Sequence, residues 1–170
     1  MGVAIRTILK KYAEAIEALY ALAYALKFKV EKGRVAMDYG VMPREGLWWA
    51  DDPSQLSVSE KANWKWTAMI MQPRYVTAEL VAAAFAEAKK KKDVSALNKT
   101  RFGSYHDGLS AQIMHLVPYV AEEPTVAKLH NFIEENGYLF DGTHQEIYLS
   151  DPRKSAPEKL RTILRQPIQT

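Results

Sequence analysis

From about Ala4 to Phe28 the apolar side chains recur every three or four residues, at Ile5, Leu9, Tyr12, Ile16, Leu19, Tyr20, Ala23 and Leu26, with Glu14, Glu17 and Lys27 elsewhere. That period is the turn of an α-helix, so the spacing predicts one long amphipathic helix. After the polar connector KVEKGR the pattern changes, and VAMDYGVM and EGLWW read as extended segments split at Pro43. A polar loop, ADDPSQLSVSEKAN, leads to WKWTAMIMQP, whose aromatic and branched content with a proline stop reads as the partner strand of a hairpin. Thr77 can cap a second helix running to about Lys92, with Leu80, Val81, Ala84, Phe85 and Ala88 on one stripe. KTRF and LSAQIMHLV read as strands joined near the turn-prone HDG. Glu122 and Glu123 beside Pro124 open a third helix, which carries Val126, Leu129 and Ile133 and closes at Gly137. YLF and HQEIYLS read as a further hairpin, and SAPE, with capping-box spacing, predicts a short terminal helix.

Pairs of strands following each helix favour an α+β fold, with helices on one face of an antiparallel sheet and the other face open to a ligand. The helix-then-hairpin unit recurs faintly at 4–72 and 122–150. At 170 residues and 19.3 kDa the chain is expected to be a single domain over 1–170, enough to bury roughly 70% of its unfolded surface.

Composition narrows the chemistry mainly by exclusion. There is no cysteine, which removes disulfides, thiolate metal sites and a cysteine nucleophile and fits a reducing cytoplasm. The longest apolar run, Ala18 to Leu26, falls well below the ~20 residues of a membrane span. Arg6, Lys10 and Lys11 interrupt any signal-peptide plan, so the expectation is a cytoplasmic protein with no membrane partner. A net charge of +3 permits a nucleic-acid partner without arguing for one. The run Lys89 to Lys92 sits where a helix C-terminus favours cations, and no helix-turn-helix is visible, so direct nucleic-acid binding is not expected. No GxSxG elbow, no close pair of histidine ligands and no glycine-rich phosphate loop occurs, so neither a metal nor a cofactor is expected.

The stretch HQEIYLSDPR holds the most informative candidates. In a strand Ile147 and Leu149 share one face, expected to be the oily one, while His144, Glu146 and Tyr148 share the other. A carboxylate and a phenol there either meet water or meet a ligand. EGLWW adds Glu45, with Trp49 in phase with it, and WKW adds Trp64 and Trp66. If Glu45 and Glu146 converge in an aromatic hollow, burial raises at least one of their pKa values, and the acid can bind a cation or move a proton. His115, in phase with Ala111 and Ile113, reads either as a satisfied core-edge residue or as a pocket residue.

EGLWW, WKWTAMIMQP, AQIMHLVPY and above all HQEIYLSDPRKSAPEKLRTILRQP resemble the free-standing branch of the GyrI-like small-molecule-binding family over roughly residues 12–170. The resemblance implies a duplicated βαββ fold around a cleft, with Glu146 as the ligand-facing acid. It also implies binding of aromatic or cationic small molecules. In some free-standing members it implies hydrolysis of the strained cyclopropane of DNA-alkylating compounds, a detoxification that gives bacteria drug resistance. On that basis Glu45 and Glu146 are the expected catalytic acids, with Trp49, Trp66, His115 and Tyr148 as ligand-binding residues. The resemblance leaves two other readings: a non-catalytic module that sequesters or senses cationic aromatics, and a gyrase-interacting inhibitor. The chain departs from the branch at Gln145, where a histidine is usual, and at Asp107-Gly108, where Glu-Gly is usual. Members also carry a strand ahead of the first helix. Here that strand is expected to be missing or replaced by MGVAIRTILKKY, leaving a sheet edge that invites a homo-oligomer.

Overall fold

The computed structural model of the chain describes residues 2–34, 36–51, 64–91 and 95–170, with backbone alone at 2–11, 91, 95 and 119. The predicted loop at 52–63, Lys92 and the side chains of Ile5 and Leu9 lie outside the described residues. In order, the elements are α1 (Gly2–Glu31), β1 (Arg44–Trp49), β2 (Lys65–Ile70), α2 (Ala78–Lys91), β3 (Ser110–Leu116), α3 (Glu123–Glu135), β4 (Leu139–Phe140), β5 (His144–Tyr148) and β6 (Arg161–Gln169). They group into two compact units, Met1–Pro43 with Ala68–Ser104, and Arg44–Thr67 with Tyr105–Thr170.

The first unit is built on α1 and α2. Thr77 caps α2 as its sequence promises: its hydroxyl accepts from the Leu80 backbone N–H at 3.4 Å. The α2 stripe packs on α1 in one core, where Ala18, Leu22, Leu26 and Val30 of α1 meet Ala84 and Ala88 of α2 and Leu97. Of the α1 stripe expected from the sequence only Leu26 is among these buried residues, so the helix face is rotated from the expected one. Lys29 and Glu87 form an ion pair between the helices at 3.3 Å.

The strands form one sheet in the order β2-β1-β5-β6-β3, with β4 added to β6. The pairings of β1 with β5, β5 with β6, β3 with β6 and β4 with β6 are all antiparallel. The second unit carries a complete β3-α3-β5-β6 motif in which the last strand lies between the other two. Its helix begins with Glu123 and a proline in the first turn. It ends where the Gly137 N–H bonds the Glu134 carbonyl at 3.0 Å, with φ +74° at a position only glycine adopts easily. Leu129, Ile133 and Val126 of α3 press on Ala111, Ile113, Leu164 and Ile168 of the sheet.

Four expectations are corrected. VAMDYGVM is not a strand, since residues 36–43 are irregular and Ala36 sits at φ +49°. KTRF is not a strand either: Lys99 ends a 3₁₀ turn, Ser95–Lys99, and residues 100–102 are irregular. YLF does not pair with HQEIYLS; β4 instead pairs with the end of β6. The terminal helix shrinks to a single 3₁₀ turn, Pro157–Lys159, and the residues after it form the longest strand of the sheet. In β6, alternate side chains at Thr162, Leu164, Gln166 and Ile168 are all buried, a period of two that overrides the capping signal before it.

Candidate functional site

The register of β1 against β5 sets Arg44 opposite Tyr148, Gly46 opposite Glu146 and Trp48 opposite His144. Directly opposed residues point the same way, so these six positions share one face. Across β6, Glu146 is level with Leu164 and Tyr148 with Thr162, which places this group on the face that α3 covers further along. The opposite face carries Glu45, Leu47 and Trp49 from β1 with Gln145 and Ile147 from β5. Glu45 and Glu146 therefore project to opposite sides of the sheet, and the structure does not bring the two acids together. Nor is the oily side of β5 the one formed by Ile147 and Leu149: Glu146 and Tyr148 are the buried pair, and Leu149 is exposed.

Around Glu146, which is only 5% exposed, the side chains form an aromatic cluster. The Trp48 indole N–H donates to the Tyr148 hydroxyl at 3.1 Å. Trp64 meets Trp48 edge-on, with ring centres 5.9 Å apart. The Arg44 guanidinium lies 3.7 Å from the centre of the Tyr148 ring, a cation–π contact. Gly46 makes the arrangement possible: a methyl group there would stand 2.7 Å from the indole nitrogen and 3.3 Å from the tyrosine oxygen. Trp66, two residues beyond Trp64, is in phase with it along the chain. His144 stays neutral at physiological pH, because burial lowers its pKa to about 4, with the nearby His130 adding to the effect.

Trp49, by contrast, belongs to the Glu45 face. His115 lies on β3, level with Thr162 and through it with Tyr148 on the same face, and its ring reaches the turn ahead of α3. One of its ring nitrogens meets the Pro118 carbonyl at 3.2 Å and the other the Thr125 hydroxyl at 2.9 Å. A carbonyl only accepts, so Nε2 carries the proton and Nδ1 accepts from Thr125. Both nitrogens are thereby committed to holding that turn.

On the far face the Gln145 amide donates to the Glu45 carboxylate at 2.6 Å, with both side chains buried. Burial pushes the Glu45 carboxyl above its ordinary value; the Gln145 hydrogen bond opposes the rise, Asp107 adds to it and Arg165 opposes it. A carboxyl whose pKa is higher folded than unfolded holds more protons when folded, so its contribution to stability is full at low pH and falls as pH rises through that window. Glu45→Gln removes this liability. In urea unfolding the variant is expected to gain stability relative to the parent between about pH 4 and about pH 7, either side of the usual glutamate value. A difference that stays constant with pH would contradict the raised pKa.

Sequence alternation places His144 with Glu146 and Tyr148, but it does not single out Arg44, Gly46 or Trp48 as members of that face. The available signal was Gly46, because a glycine inside a strand marks a close approach, and the residues in phase with it are Arg44 and Trp48. Among the described residues no group of three His, Cys, Asp or Glu side chains could hold a metal ion.

The GyrI-like small molecule binding domain model matches residues 11–169. The chain belongs to the GyrI-like family. The GyrI-like fold recurs in an uncharacterized conserved protein from Listeria innocua, 38% identical, with a TM-score of 0.85 over 93% of this chain and 80% of that one. Two structures described as hydrolases from Listeria innocua are each 37% identical and cover 93% of this GyrI-like chain, with TM-scores of 0.78 over 79% and 0.81 over 80% of their own lengths. No curated protein matches. Among the described residues no helix is long and apolar enough to cross a membrane.

Proposed function

We propose that the Glu146 face binds flat aromatic small molecules and that the protein hydrolyses cyclopropane-bearing genotoxic compounds, protecting the cytoplasm of a bacterial cell. The observation that carries this reading is the buried Glu146 carboxylate beside the Trp48–Tyr148 pair. The two hydrolases among its structural neighbours support it.

In the proposed substrate a cyclopropane is conjugated to a dienone. Glu146 takes a proton from water as the water oxygen bonds to a ring carbon. The ring C–C bond breaks, and its electron pair passes through the dienone to the carbonyl oxygen, giving an aromatic phenolate. Tyr148 is suited to that oxygen. Its own oxygen accepts the Trp48 N–H, so its hydroxyl hydrogen is directed away from the indole and can donate to developing negative charge. The proton on Glu146 returns to solvent or to the phenolate, which closes the balance. Trp48, Trp64 and Tyr148 supply flat walls.

Incubation of the protein with a spirocyclopropyl dienone, followed by chromatography and mass measurement, is expected to show a product heavier by one water. Unchanged compound after prolonged incubation would overturn the hydrolytic reading. The same carboxylate and aromatic rings also suit a cationic aromatic held without chemistry. Calorimetry with a planar dye cation that shows tight binding, together with no hydrolysis, would favour that sequestering module. Self-association through an outer strand, β2 or β3, belongs to the same reading.

A further inference from the structure

We propose a second ligand site, on the sheet face opposite Glu146, formed by Glu45, Asp107 and Gln145 and fitted to a small primary ammonium. The site is independent of the aromatic cluster. Register places Gln145, Arg165 and Gln112 side by side across β5, β6 and β3, with Glu45 on the neighbouring β1. Arg165 is engaged with its neighbours: it pairs with one oxygen of Asp107 and forks onto the Gln112 side-chain amide oxygen at 3.0 and 2.9 Å.

What remains is a surplus of acceptors. Asp107 Oδ1 and Gln145 Oε1 are both buried with no hydrogen-bond partner, and Gln145 is only 1% exposed. Glu45 receives one donor, from Gln145. Two carboxylates face a single guanidinium, so the group also lacks positive charge. Buried polar atoms are normally satisfied, and a set of orphaned acceptors calls for a ligand that only donates. A primary ammonium brings three donors and one positive charge to the two orphaned oxygens and the Glu45 carboxylate.

Tyr105 supplies the entrance. It is 48% exposed, and its phenol is pushed above its usual pKa first by burial and then by the nearby charges of Asp107 and Glu45, against the pull of Arg165 and with a hydrogen bond to Asp107 adding last, which sets it beside both acids as a neutral ring. An aromatic rim next to an acidic recess favours an alkylammonium, with the ring against its carbon chain or its charge. Leu47, Trp49 and Ile147 share this face and extend the apolar surface for such a chain.

The test titrates n-butylammonium chloride into the protein at constant ionic strength, read by calorimetry and by tryptophan fluorescence. Sodium chloride and tetramethylammonium chloride, which have no N–H donor, serve as controls. Saturable binding is expected for butylammonium alone. It should weaken by about tenfold or more in Asp107→Asn and in Gln145→Leu, as expected for losing a hydrogen bond to a charged group. Glu146→Gln should leave it unchanged while affecting the chemistry at the other face, so the two sites can fail separately. If circular dichroism shows Gln145→Leu misfolded, Asp107→Asn decides. No saturable signal, an equal response to tetramethylammonium, or undiminished binding in Asp107→Asn would overturn the proposal.

Discussion

Glu146→Gln is expected to lower kcat/KM for cyclopropane opening by about 10²–10⁴-fold, the range attributed to a positioned general base. The amide keeps the shape of the carboxylate and its ability to accept a hydrogen bond, yet it cannot take the proton of the attacking water. Because Glu146 is buried opposite Gly46, whose missing side chain leaves the Trp48 indole over the strand, a near-isosteric amide should not disturb the packing. The variant should therefore unfold in urea at nearly the parental midpoint and still bind a planar aromatic. A fall in kcat with binding retained identifies a group acting in the transition state. A rise in KM with kcat intact would reduce Glu146 to a binding residue.

Leu164→Ala is expected to cost about 2–5 kcal/mol, the usual range for emptying a buried leucine position. Leu164 is 0% exposed, lies between Ile113 of β3 and Glu146 of β5, and belongs to the cluster that includes Leu129 and Ile133 of α3. Truncation would open a cavity beneath α3 and loosen the strand that carries the acid. Against a typical total of about 5–15 kcal/mol this is a severe loss. Urea unfolding should show a lower midpoint with an unchanged slope. Leu116→Ala, at an exposed position on the far face of β3, should stay within about 0.5 kcal/mol and serves as the control. Similar small losses for both would mean that Leu164 is not central to the core.

The helices were legible because their signals are local. The stripe Leu80, Val81, Ala84, Phe85, Ala88, the cap at Thr77 and the close at Gly137 each depend on residues within a few positions of one another. β6 was illegible for the opposite reason. SAPE favours a turn, and it makes one, but the strand that follows has buried Thr162 and Gln166 in alternation with its leucine and isoleucine. Those polar positions hide the apolar rhythm, and their burial depends on strands far away in sequence. The α+β class and the placement of Glu146 and Tyr148 on one face could be read from the pattern of the sequence alone. Which of the two faces lies under α3 could not, because a strand's parity separates its faces without naming them. The partner of Glu45 shows the same limit. Gln145, a polar residue beside a conspicuous glutamate, is held by a hydrogen bond that spans 100 positions of chain.

Because β6 lies between β5 and β3 and also receives β4, three strands synthesised earlier must wait for one made later. While the ribosome is still producing residues 161–169, β3 and β5 each lack their shared neighbour, and α3 has no Leu164 or Ile168 to settle on. The sheet of this unit therefore cannot close until residues 161–169 have been made, and the nascent chain shows open strand edges until then.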